Sequence, residues 1–162
     1  MQLLFLFLLL VLPYIILTLL RRFVPQFEMV PAKRARVGLT LFFLITSLGH
    51  FMNTEEMAQM LPPSTPYRVE LIYVTGIFEL LGGVAVWIPR LTKLAGLCLI
   101  LLLLAVLPAN IYSALNRVDF GGHDAGPIYL LVRVPFQLFV IGWTYLATEQ
   151  RWFSGKVRTP TD

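Results

Sequence analysis

Five polar side chains stand inside otherwise apolar runs: His50, Glu79, Asn110, Arg133 and Gln137. Such groups are costly within hydrocarbon and usually face a bundle interior or a water-filled cavity. Glu79 sits at the middle of YVTGIFELLGGVAVWIP, residues Tyr73–Pro89. A carboxyl group there is the candidate catalytic acid or base, with Arg133 as its electrostatic partner. Arg133 lies one turn before Gln137 on one helix face, so it is expected to pair with Glu79 or cap it through water. Acid–base work by this chain alone needs two groups of separated proton affinity, and Glu79 with His50 is the obvious pair. Each residue also has a structural reading. Glu79 and Arg133 would clamp two helices, and His50 would be hydrogen-bonded at a helix end. Asn110, which follows Pro108, would satisfy carbonyls freed by a kink. Gly76, Gly82 and Gly83 would let helices approach closely around Glu79.

Other chemistry is excluded or weakly signalled. Glu55, Glu56, Asp119, His123 and Asp124 could join His50 around zinc or iron. No His-x-x-x-His or Glu-x-x-His spacing supports that, so they read as solvated loop charges and no metal site is expected. Cys98 is the only cysteine, which excludes an intramolecular disulfide and a CxxC pair. Gly82–Gly83 is no phosphate loop, because it lies inside an apolar run. The net charge of +4 comes from basic residues at the ends of such runs, with no basic face for nucleic acid.

The elements that must position the five residues follow from composition. Of 162 residues, 57% are hydrophobic and 14% charged, against about a quarter charged in soluble domains. The apolar runs are Leu3–Leu20, Val37–Phe51, Glu70–Ile88, Leu94–Ala114 and Ile128–Leu146. Each approaches the ~20 residues a helix needs to cross a bilayer, and lipid leaves helices as the form they take. The second is short and must borrow from its flanks. The first has its positive charges, Arg21 and Arg22, after it, and lacks a basic leader and a cleavage site, so it reads as a retained span. Pro13 would kink it.

Ten basic residues fall in one set of connections and two in the other. Arg21, Arg22, Lys33, Arg34, Arg36, Arg90, Lys93, Arg151, Lys156 and Arg158 oppose Arg68 and Arg117. The positive-inside rule then puts the N-terminus outside and the C-terminus in the cytoplasm. Trp87 and Trp152 mark the inner interface, and Tyr67, Tyr112 and Tyr129 the outer one. At 1.5 Å per residue, Glu79 and Gln137 lie about 13 Å below the outer boundary. All five polar residues then fall in the outer half, lining one outward-facing pocket. The outer loops carry LPPSTP, which cannot be helical throughout, and FGGHDAGP, whose glycines permit tight turns. Pro31 and Gly38 recur in register as Pro89 and Gly96, and the same shift sets Glu79 against Gln137, a faint hairpin repeat.

Four segments carry a family resemblance: GHFMN, MLPPSTPYRVELIYVTGIFELLGG, LLLLAVLPANIYSALN and VRVPFQLFVIGW. They resemble the four successive helices of DoxX-like membrane proteins. The matching patterns fall on Gly49–Phe51, Thr75–Gly83, Pro108–Asn110 and Arg133–Gln137. The first is loosest, because His50 follows Gly49 directly. The resemblance covers about residues 31–147 and leaves residues 1–30 as an added helix and basic linker, with residues 148–162 as a cytoplasmic tail. It implies likeness to membrane subunits of thiosulfate:quinone oxidoreductase, and to relatives linked to redox homeostasis, methylamine utilisation or receptor assembly.

The expected fold is an all-α integral membrane protein, an antiparallel four-helix transmembrane bundle plus one N-terminal transmembrane helix. The expected role is an accessory or ligand-binding subunit of a quinone- or sulfur-linked redox system in a bacterial inner membrane. Glu79 would be the acid or base, and His50, Asn110, Arg133 and Gln137 would line the pocket. No cofactor is evident in the residues; a quinone is the one the resemblance brings. Partners would be the bilayer, a membrane or periplasmic protein, or further copies of the chain. The alternatives are a stand-alone isomerase of amphipathic substrates and a non-catalytic chaperone or scaffold. A transporter is less favoured at this size.

Overall fold

The computed structural model describes residues 2–24 and 29–149. Arg151, Trp152, Lys156 and Arg158, which enter the charge and aromatic argument, lie outside the described residues. The described residues are helical, with no strand among them. The helices are α1 (Gln2–Phe23), α2 (Pro31–Met52), α3 (Thr54–Ala58), α4 (Arg68–Ala85), α5 (Thr92–Leu115) and α6 (Leu130–Thr148). A 3-10 segment, His123–Tyr129, leads into α6 and is broken at Gly126.

Local sequence explains most boundaries. Pro31 opens α2, where its missing N–H costs nothing and its fixed φ suits a first turn. The short second run borrows Pro31–Arg36 to reach 22 residues. LPPSTP lies in the turn-rich stretch between α3 and α4, and Tyr67 precedes α4 in a left-handed conformation (φ 53°). Four helices are long and apolar enough to cross a membrane: α1, α2, α5, and α6 together with its 3-10 lead. The third expected span, Glu70–Ile88, corresponds to α4, whose 18 residues include Arg68, Glu70 and Glu79. Those three charges within 18 residues, and not a lack of apolar residues, set it apart from the other four.

The seam between α2 and α4 is stitched by hydrogen bonds. Thr40 donates to Gly83 O (2.9 Å), Ser47 to Gly76 O (2.8 Å), and His50 Nδ1 meets Ile72 O (3.0 Å). Numbers rise along α2 as they fall along α4, so the two run antiparallel. Side-chain donors to helix carbonyls matter where no water competes. On its other side α2 carries α1, and it also packs on α6, while α5 joins α4 to α6. A core of Leu10, Leu39, Phe42, Phe43, Val86, Leu99, Leu103, Phe136 and Val140 fills the centre. The outer faces expose large apolar side chains, among them Leu8, Phe78, Leu101 and Leu138. Cys98 also lies on the exposed face of α5.

Arg34 and Arg36, counted by sequence in the connection before the second span, are buried at the start of α2. Arg34 Nη1 donates to Thr18 Oγ1 (2.8 Å) and its guanidinium lies 5.5 Å from the Tyr14 ring centroid. Arg36 Nε donates to Ala147 O (2.9 Å). Both tie α2 to its neighbours through long stems, although Arg34 Nε is buried without a hydrogen-bond partner among the described residues.

Backbone approach between α1 and α2 depends on Gly38. A Cβ there would strike the Leu10 carbonyl oxygen and lie 2.9 Å from its carbon. Gly96, the in-register partner of Gly38, is likewise an approach point, where a Cβ would meet Thr148 of α6. Gly38→Ala is expected to cost about 1–3 kcal/mol by overpacking against backbone that cannot rotate away. Thermal unfolding in detergent checks this, and a wild-type midpoint would show that α1 does not need this approach.

Candidate functional site

A cavity of about 660 Å³ opens between α1, α2, α4, α5, α6 and the loops at one end. That volume is within the ordinary range of small-molecule sites. His50, Glu79, Asn110, Arg133 and Gln137 all line it. The remaining wall is largely apolar, including Leu3, Leu6, Ile45, Ile72, Val106 and Phe136, with Met57 and Met60 beside the loops.

The polar residues form two sets. In the first, Gln137 Nε2 donates to Leu103 O, which as a carbonyl can only accept. That orientation turns Gln137 Oε1 towards Asn110 Nδ2 (3.2 Å), and Asn110 Oδ1 then receives Arg133 Nε (3.4 Å) and Nη2 (3.3 Å). Each amide is oriented by the next, back to a fixed backbone carbonyl. Asn110 also donates to Val106 O (3.2 Å). It therefore serves both the backbone of its own helix and the side chains of α6.

The second set pairs α2 with α4. His50 Nε2 lies 3.6 Å from Glu79 Oε1, with both side chains buried. This is ion-pair reach rather than a hydrogen bond. His50 Nδ1 faces Ile72 O at 3.0 Å and Thr75 Oγ1 at 3.1 Å. With Nδ1 donating to the Ile72 carbonyl, a neutral ring would turn a bare Nε2 towards Glu79. In that tautomer, one further hydrogen, on Nε2 or on the carboxyl group, would complete the contact. Gly76 makes this approach feasible, because a Cβ there would lie 2.7 Å from His50 Cβ.

The direct Glu79–Arg133 pairing expected from spacing is not the one formed. Glu79 faces His50 across the α2–α4 seam, while Arg133 faces Asn110 across the α5–α6 seam. Helix adjacency, rather than nearness in depth, decides the partners. Both residues still line one cavity. Glu79 Oε2 is buried and without a hydrogen-bond partner among the described residues.

Sequence reasoning passed over His123 as a solvated loop charge. It is 3% exposed and lines the cavity. Gly121 (φ 65°) and Gly122 (φ 95°) turn the chain so that the imidazole folds inward, beneath Tyr129 at a ring-centroid distance of 4.8 Å. Two adjacent glycines before a histidine were the only available signal, and they are a weak one. The residues weighed as metal ligands do not assemble: no group of three His, Cys, Asp or Glu side chains comes together among the described residues. The N-terminal helix, set apart in the sequence, contributes Gln2, Leu3, Phe5 and Leu6 to the cavity wall.

Removing one partner of a buried pair costs more than removing a neutral hydrogen bond. His50→Leu should lower stability by about 3–5 kcal/mol, because it strands Glu79. Arg133→Leu should cost about 1–3 kcal/mol, the loss of a donor to Asn110. Adding Glu79→Leu to His50→Leu should recover most of the loss. A double-mutant cycle by chemical unfolding measures the coupling, and additivity would deny the pairing.

Searches of curated proteins and of solved structures return no match to this chain. A family model does match, over residues 39–148, from the first half of α2 to the end of α6. The matched segment holds all five polar residues and His123, and leaves out α1. The chain belongs to the family described as Domain of unknown function (DUF8561).

Proposed function

We propose that this chain is a DoxX-like multi-pass protein of a bacterial inner membrane, serving as an accessory or ligand-binding subunit of a quinone- or sulfur-linked redox system. In this reading α2, α4, α5 and α6 form an antiparallel four-helix transmembrane bundle, and α1 is an additional span. Apolar outer faces on helices of membrane-crossing length support insertion. The bias of basic residues supports an outer N-terminus and a cytoplasmic C-terminus. The cavity would then open to the outside.

The observation that carries the reading is the cavity itself. Its walls are mostly apolar and its few polar groups converge, which suits an amphipathic molecule with an apolar body and a polar head. The four segments that resemble DoxX-like proteins are the ones that supply His50, Glu79, Asn110, Arg133 and Gln137 to it. A quinone would suit this lining, its ring oxygens accepting from Arg133 and, in the reduced form, donating as hydroxyls. It would bring the two-electron chemistry that no side chain here supplies. Arg133 would hold a fixed positive charge beside the head, oriented by Asn110 and Gln137. His50 and Glu79 would hold a proton between them, and the apolar wall would keep water from the rest.

One observation favours a second reading, a stand-alone isomerase of an amphipathic substrate. His50 and Glu79 are adjacent and buried, as an acid–base pair requires. A non-catalytic scaffold is the remaining alternative, in which the cluster serves only stability.

Mass spectrometry of the protein, gently extracted from its native membrane, separates these readings when Glu79→Gln is run beside wild type. A stoichiometric protein partner supports the accessory subunit. A small molecule held by wild type and lost from the variant supports the pocket. Neither species, with the variant less stable than wild type, would reduce the cluster to a structural clamp. For topology, green fluorescent protein fused after Asp162 should fluoresce, and a dark but inserted fusion would reverse the orientation.

A further inference from the structure

We propose that the head of the bound molecule carries hydroxyl groups, and that it is held between Glu79 Oε2 and His123 Nε2. This rests on the amphipathic-pocket reading above and specifies the ligand's chemistry. Both atoms are buried and lack a hydrogen-bond partner among the described residues, and both residues line the same cavity. Native structures seldom leave such groups unmet, and each asks what satisfies it.

The two atoms ask for the same thing. His123 Nδ1 lies 2.7 Å from Phe120 O, a group that only accepts, so Nδ1 carries the ring hydrogen. Nε2 of the neutral ring is then an acceptor. An imidazolium would place an unpaired charge in a buried site. Glu79 Oε2 accepts whether the proton of the His50–Glu79 pair resides on the imidazole or on Oε1. Two unmet acceptors call for a ligand with donors. The fixed charge of Arg133 lines the same cavity and disfavours an ammonium head, and a hydroxyl is the neutral donor that can also accept from that guanidinium. The apolar wall sets the rest of the molecule as hydrocarbon.

His123 is built to hold its position. Tyr129 packs edge-on against its ring, with an interplanar angle of 67°, and donates its own hydroxyl to Gly121 O (2.7 Å). The acceptor is therefore set before any ligand arrives, by a turn that the two left-handed glycines allow. The site is pre-formed on that side.

The test uses the full chain in lipid nanodiscs with two probes, decylhydroquinone and its dimethyl ether, kept reduced and titrated by calorimetry against empty nanodiscs. The two share a ring and a tail and differ in hydroxyl donors. The hydroquinone should bind about tenfold more tightly, the effect of one or two hydrogen bonds to buried acceptors. His123→Phe, checked for folding by its melting temperature, should remove most of that advantage and leave the ether unchanged. His123→Gln, which can offer an acceptor oxygen, should restore part of it. Equal affinity for the two probes would overturn the donor-bearing head while leaving the amphipathic pocket standing, as would water alone satisfying both atoms. A preference untouched by His123→Phe would overturn the placement. Binding of neither probe would overturn the inference and the pocket reading together.

Discussion

The arrangement depends on how polar groups are satisfied where the surroundings are apolar. Between α2 and α4, Thr40, Ser47 and His50 each meet a carbonyl of the facing helix, and small residues at Gly76 and Gly83 bring the backbones within reach. Apolar association between helices is weak when the medium is itself hydrocarbon, so such bonds and close packing carry the specificity. The seam then sets the height of His50 against Glu79. Had α4 shifted by one turn, the carboxyl group would lose its only ion-pair partner among the described residues.

A parallel device holds the other half of the cavity. The chain of donors and acceptors from Arg133 through Asn110 and Gln137 to Leu103 O has one consistent direction, because its last member is a carbonyl. Such a chain positions a guanidinium without a carboxylate in ion-pair contact among the described residues. The two seams therefore present different chemistry to one space: a histidine–carboxyl pair on α2 and α4, and a fixed positive charge on α6. Between them the wall is hydrocarbon.

The N-terminal helix complicates any division of the chain into a core unit and an appendage. The family match begins at Leu39, yet α1 buries Leu10 against α2 and places Leu3 and Leu6 on the cavity wall. Its contacts fall mainly on α2 and only slightly on α6. A wall held by one neighbour is the natural weak side of the cavity, since local opening requires the fewest contacts to be lost there.

The sequence by itself determined the helical class, five long helices with their approximate bounds, and the polar residues that had to be gathered. It did so because apolar length and misplaced polarity are one-dimensional properties: the count of residues needed for a helix, and the cost of Glu79 or Arg133 in hydrocarbon, can be read without coordinates. Partner choice was not legible in the same way. Glu79 and Arg133 lie about one helical turn apart in depth by residue count, but depth does not say which helices are neighbours, and the tertiary structure gives Glu79 to His50 and Arg133 to Asn110. His123 was hidden for a related reason. A histidine in a glycine-rich loop looks solvated until the turn at Gly121 and Gly122 folds it inward, and that direction is a property of backbone torsions and of the helices it meets.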